Sequence, residues 1–193
     1  EVVMFDDGLH GDGAAEDGVY AATIPAGAST PSQMVRWFFR ATDDRGNTSR
    51  WPLFTDPANS TEFLGTMVDY VVTSKLPVVH LFAPANILQG PPGPTGQVGA
   101  DSQAGARVSL FFDGEFYDNI HMQLRGNTTA GFNKKSHRVE FNNDHAFRHS
   151  DAYPRVTKTS FVADYGDPAY MRQGLAFWLC NLIGSPTSFY DPM

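Results

Sequence analysis

Val108-Ser109-Leu110-Phe111-Phe112-Asp113-Gly114-Glu115-Phe116-Tyr117 is the stretch whose reading decides the fold. Val108, Leu110 and Phe112 stand two apart, the period of a strand with one face turned inward. Asp113-Gly114 is a dipeptide suited to a tight hairpin. Beyond it Ile120, Met122 and Leu124 alternate again, so the chain doubles back. A polar, glycine-containing loop runs from Arg125 to Asn133. Lys135, His137, Val139 and Phe141 then share one face of a third strand. The stretch 107–142 therefore predicts a three-stranded antiparallel meander with a flexible loop between its second and third strands.

Downstream, residues 155–163 suit a further strand, and the best helix signal in the chain follows. Asp167 is placed to cap orphan N–H groups, and Pro168 suits a first helical position. Met171, Leu175, Leu179 and Leu182 recur at helical spacing. Gly184 offers a left-handed stop and Pro186 prevents continuation. Phe177, Trp178 and Ile183 widen the apolar face, which predicts a helix buried against a sheet. Upstream, Leu76 to Phe82 suits a strand that tolerates Pro77 at its start. Residues 84–106 form a loop insertion rich in Gly, Pro, Ala and Gln. Its Gly90, Gly93, Gly96 and Gly99 are too few triplets for a collagen-type helix. Residues 53–75 are linker or strand, with Phe63 to Val72 open between strand and short helix. In residues 1–52, Val19 to Ile24 suits a short strand ended by Pro25. From Met34 to Ala41 a strand is expected, with Val35, Trp37, Phe39 and Ala41 on one face and Arg36 and Arg40 on the other. Asp43 to Asn47 is a turn cluster.

Composition sets the outer limits. The 193 residues are 41% hydrophobic and 13% aromatic, enough for a core. The 18 glycines and 13 prolines fit a turn-rich β protein. A net charge of −7, with only 14 Lys and Arg in all, argues against nucleic acid as a partner. No stretch is long and apolar enough for a membrane-spanning helix. One cysteine, Cys180, excludes an internal disulfide and a Cys-based zinc site, and its place in the apolar helix favours packing over nucleophilic work. The first residue, Glu1, and the ending Phe189-Tyr190-Asp191-Pro192-Met193 suit a piece of a longer protein.

Two constellations carry chemistry. In the first, Asp6, Asp7, Asp12 and Asp17, with Glu16, are interleaved with glycines from Asp6 to Gly18. Clustered carboxylates on a bending loop suit a hard cation such as Ca²⁺. The same pattern suits Asp-Gly turns whose carboxylates accept local backbone N–H groups. The spacing is not that of an EF-hand. In the second, Arg125-Gly126-Asn127-Thr128-Thr129 precedes Lys134-Lys135-Ser136. Small residues admit an anion close to the backbone, and two lysines can neutralise phosphate. An ordinary hairpin with solvated lysines is the alternative. His145 and His149, four apart, would form a metal pair only on a helix, and Asn142-Asn143-Asp144 indicates a loop there. Asn47, Asn59 and Asn127 begin glycosylation sequons, which carry no meaning in a bacterial protein.

Two resemblances rest on these residues. Asp6-Asp7-Gly8-Leu9-His10-Gly11-Asp12-Gly13, Asp17-Gly18-Val19-Tyr20, Ile24-Pro25, Val35 to Arg40 and Ala41-Thr42-Asp43 resemble the C-terminal half of an immunoglobulin-like module of large exported bacterial proteins. Phe111 to Tyr117, Leu124 to Thr129, Lys134 to Phe141, Asp167-Pro168 with Met171-Arg172 and Leu175-Ala176, and Gly184-Ser185-Pro186 resemble the front part of the CotH kinase-like family, relatives of spore coat protein H. This second resemblance runs from about residue 76 to the end.

The resemblances imply an α+β chain: a partial Ig-like β module over 1–52, then, over 76–193, a kinase N-lobe-like antiparallel meander with one packed helix. They imply an exported, extracellular or cell-surface bacterial protein whose parent phosphorylates Ser on partner or coat proteins, using ATP and a divalent metal. Lys135 is then expected to be the phosphate-binding lysine, since it shares a face with Val139 and Phe141, with Lys134 as alternate. Arg125, Gly126, Asn127 and Thr128 lie near the phosphates. Phosphoryl transfer needs further Asp residues for metal and nucleophile. Asp164 suits a loop and Asp167 a helix cap, so the chain alone is expected to be inactive. The alternative is a non-catalytic binding module stiffened by Ca²⁺ in its Ig-like part.

Overall fold

The structure is a computed structural model that describes residues 1–53, 61–69, 73–83, 105–126, 132 and 134–185. In chain order its strands are β1 (Met34–Trp37), β2 (Phe39–Thr42), β3 (Thr48–Trp51), β4 (Leu64–Met67), β5 (His80–Phe82), β6 (Ala106–Phe112), β7 (Glu115–Arg125), β8 (Ser136–Glu140) and β9 (Lys158–Phe161), and its helix is α1 (Arg172–Leu182). β5 to β9 form one five-stranded antiparallel sheet in sequential order. The expected meander is present as β6, β7 and β8, extended by one strand on each side. The described residues are mostly sheet with one helix, which is α+β.

The hairpin turns at Asp113 (φ +49°) and Gly114 (φ +80°), the left-handed conformations that the dipeptide tolerates. Alternation alone does not describe β7. Val108 faces Ile120 and Leu110 faces Tyr117, so Asp118 and Asn119 together oppose Ser109. This is a β-bulge, with Asn119 at φ +53°. The extra residue reverses the strand's parity, and Tyr117 and Ile120, three apart, join the same core. That core comprises Val108, Leu110, Phe112, Tyr117, Ile120, Met122, Val139, Phe141 and Phe147. Each fully buried apolar side chain contributes about 1.5–3 kcal/mol. Phe147 reaches it from the loop after β8, where it bridges to Val156, and stacks on Phe141 at 4.7 Å.

The opposite face of β6 and β7 is also buried. Phe111 and Phe116 are covered there, and β4 runs over β7. Gly65 lies so close to the Phe116 ring that a Cβ would fall 2.4 Å from it. Phe63 to Val72, open between helix and strand on sequence, therefore contains strand β4, which pairs with β1 from Met34↔Met67 to Trp37↔Leu64.

Four expectations need correction. The strand from Met34 to Ala41 is broken at Phe38: β1 pairs with β4, whereas β2 pairs with β3. Phe39 and Ala41 are exposed as a result, since β2 lies in a two-stranded hairpin. Val19 to Ile24 forms only an isolated bridge, Phe5 with Ala21. The helix is not buried: α1 has no buried residue, Leu175, Trp178, Leu179 and Leu182 are exposed, and Phe177 is half-buried. Pro168 is not its first residue either, because Asp167 to Tyr170 forms a turn and Tyr170 takes φ +52°. Asp167 still caps, its Oδ2 accepting from the N–H groups of Met171 (3.1 Å) and Arg172 (2.8 Å). Gly184 ends the helix at φ +75°, with Gly184 N–H bonded to Asn181 and Ser185 N–H to Cys180, a Schellman motif. Among the described residues no helix is long and apolar enough to cross a membrane.

Candidate functional site

The end of the sheet where β7 gives way to β8 carries a cleft of about 300 Å³. Arg125, the last residue of β7, pairs with Ser136, the first of β8. Both line the cleft, with Lys134, Phe132, Gln173 and the segment Val162 to Asp167. Ser136 Oγ accepts the Ala163 N–H at 3.0 Å, tying the segment after β9 to β8. Phe132 and Tyr165 lie 5.7 Å apart, centroid to centroid. Gly166 lets the ring of Phe132 approach: a Cβ there would sit 3.3 Å from it.

The cleft brings together Arg125 and Lys134, two residues that the sequence singles out for phosphate. Lys135 is not among its lining residues. By alternation Lys135 falls on the face of Val139, which is the core face, whereas the cleft opens on the face of Ser136. Gly126 follows Arg125 at φ +89°. Asn127 and Thr128 lie outside the described residues, as do Asn59 and the glycines of the 84–104 segment.

Two carboxylates, Asp164 and Asp167, face the cations across the cleft. The Arg172 backbone N–H, with those of Ala169 and Met171, holds the Asp167 carboxyl below the usual range against a smaller opposing effect of burial. Its oxygens are also paired with Arg172 at 3.3 Å. Asp164 is held at φ +44°, an uncommon conformation for a non-glycine residue. Tyr165, Gly166, Phe132 and Gln173 were not singled out by the sequence. The turn-forming run Asp164-Tyr165-Gly166-Asp167-Pro168 after a strand was the available signal.

The acidic loop of the front part is built from turns. Asp12 is buried, and its Oδ2 accepts from the N–H groups of Asp7 and Gly8, the latter at 2.9 Å. Asp6 accepts from Asp17 and Gly18 across the loop. Asp7 binds the Leu9 N–H and the His10 ring, and Asp17 accepts from Ala14 and Val19. The carboxylates thus serve local N–H groups. Among the described residues no group of three or more His, Cys, Asp or Glu is placed to hold a metal ion.

His145 and His149 lie in a loop rather than on a helix. His145 Nε2 is 2.9 Å from Glu115, and its ring stacks on Tyr117 at 4.7 Å. Glu115 also binds Arg155 at 2.7 Å and Arg148 at 3.3 Å. Burial pushes the Glu115 carboxyl up, but hydrogen bonds from Arg155, His145 and Tyr117 outweigh it and bring it to about 2. Burial lifts Tyr117 to about 12. The cluster ties the loop after β8 to the hairpin.

Fold and site together define a β-rich protein with a charged cleft, lined by two cations and two carboxylates, at one end of an antiparallel sheet. Residues 1–56 match the family model described as the conditioned medium factor second Ig-like domain, and residues 122–193 match that of the CotH kinase protein. Both resemblances read from the sequence are therefore borne out. The second match begins at Met122, within β7, later than the motif Phe111 to Tyr117 and the start near residue 76 read from the sequence. No curated protein and no solved structure matches the chain.

Proposed function

We propose that the cleft beside Arg125 and Lys134 is the phosphate side of a nucleotide site, in a protein whose parent transfers a phosphoryl group from ATP to Ser on partner proteins. The convergence of a guanidinium and an ammonium on one cleft at the start of β8 carries this reading. A planar guanidinium donates to two phosphate oxygens at once and a lysine adds a mobile point charge. The match of residues 122–193 to the CotH kinase protein supports it. In this reading the protein is exported and works at the cell surface, and the Ig-like part is a spacer.

The cleft fits phosphate better than it fits the divalent metal that such chemistry employs. Asp167 is committed to N–H groups and Arg172, which leaves Asp164 as the one further carboxylate of the cleft. The described residues bind phosphate and exclude bulk water on one side. Among themselves they do not assemble a metal site, so weak nucleotide binding is what they alone support.

Two charge-assisted contacts of about 1.5–3 kcal/mol each put the affinity on the order of 1 mM. Titration of ATP followed by calorimetry tests this. Lys134→Ala should abolish the heat, and Lys135→Ala should leave it. The opposite order would return the role to Lys135. No binding by the wild-type chain at 10-fold higher nucleotide would leave the protein as a non-catalytic surface module.

A further inference from the structure

The line where β1 and β4 meet β7 holds two buried carboxylates that the nucleotide reading does not use. Asp118, 1% exposed, sits in the bulge and is fully served. It accepts from the Phe63 N–H at 3.0 Å, the Ser109 hydroxyl and Arg36 at 3.4 Å. Glu62, 3% exposed, is differently placed. Arg50 donates to its backbone carbonyl, not to its carboxylate, and stacks over Phe38 and Phe63. The Glu62 carboxylate lies 3.9 Å from His145 Nδ1, and that ring already serves Glu115 through Nε2.

The groups around Glu62 come from two elements. Asp118 faces it from β7, and Asp144 and His145 from the loop after β8. Asn142, whose side chain donates to the Asp118 carbonyl at 2.9 Å, also bonds the Glu62 carboxyl. An ionised Glu62 thus stands out of water near two like charges, with one shared histidine to offset them. Such a charge is costly unless it is paired. A protonated Glu62 carries no such cost, and its neighbour Phe63 stays bonded to Asp118.

We propose that this seam is a pH-set latch: with Glu62 protonated the β1–β4 pair is held against β7, and ionisation of Glu62 loosens it. Burial, the largest influence, raises the Glu62 carboxyl above its ordinary 4.5. The sign follows. Below 4.5 Glu62 is protonated whether the seam is open or closed, and the seam is tightest. Between 4.5 and the raised value only the open form ionises, so each pH unit favours opening about tenfold. Above the raised value the effect levels off.

Hydrogen exchange of the Phe63 amide, which donates to Asp118 across the seam, corrected for intrinsic rate, tests the latch in the full chain between pH 5 and 8. In the wild type, protection of Phe63 should fall about tenfold per pH unit before levelling, while Val139 in β8 keeps its protection. Glu62→Gln, which cannot ionise, should hold high protection throughout. His145→Gln removes the neighbouring group that lowers the Glu62 carboxyl and should carry the fall to higher pH before it levels. A flat wild-type profile overturns the proposal. So does a Glu62→Gln variant that still falls, or a fall that vanishes in His145→Gln alone, which would assign the titration to the histidine.

Discussion

Asp118→Ala tests the seam most directly. The substitution removes the acceptor for three donors: the Phe63 N–H, the Ser109 hydroxyl and Arg36. Ser109 is buried and Phe63 half-buried, so the first two lose their partner where water is scarce, at about 1–3 kcal/mol each. Arg36 has a side chain 42% exposed and can turn to solvent, which limits its share to under about 1 kcal/mol. The expected loss is about 2–7 kcal/mol, or a fall in Tm of roughly 4–28 °C for a chain of this size. Urea unfolding followed by tryptophan fluorescence measures it, since Trp37 lies in β1 and Trp51 in β3. A double-mutant cycle with Arg36→Ala should give a coupling under about 1 kcal/mol. A loss below about 1 kcal/mol, or a cycle in which Arg36 accounts for most of it, would refute the reasoning that Asp118 acts through buried backbone and hydroxyl donors.

Gly65→Ala should cost about 1–3 kcal/mol, because the new Cβ meets a buried ring that has no free direction to move; equilibrium unfolding reads it. Glu115 has a carboxyl depressed to about 2, so its contribution is present above the ordinary 4.5 and is lost as pH falls towards 2. The difference in unfolding free energy between pH 6 and pH 3 should shrink by up to about 2 kcal/mol in Glu115→Gln. Leu179→Ser should change stability by less than about 0.5 kcal/mol, as expected for an exposed position; a loss above about 2 kcal/mol would restore the buried helix that its apolar spacing suggests.

Local signals were legible where one short stretch contains the whole cause. Asp113-Gly114 makes its turn from its own conformational freedom, and Gly184 ends α1 for the same reason. The alternation of Val108 with Leu110 and of Ile120 with Met122 showed the strands of the meander. Alternation could not reveal the bulge at Asp118-Asn119, because that extra residue is seen only against the partner Ser109. Nor could it choose between Lys134 and Lys135. It set them on opposite faces, but both faces of this sheet are occupied, and only the packing shows that the cleft lies on the side of Ser136.

By itself, then, the sequence determined a β-rich α+β chain, its central hairpin, the helix and its end, and the likeness of its two ends to known families. These follow from side-chain period, turn chemistry and residue order, which are local properties. Tertiary structure alone decided that the run from Met34 to Ala41 divides between two sheets, that the apolar face of α1 stays exposed, and that Glu62 and Asp118 meet in one buried seam. Each of these depends on which distant surface arrives to exclude water, and no periodicity along the chain encodes that.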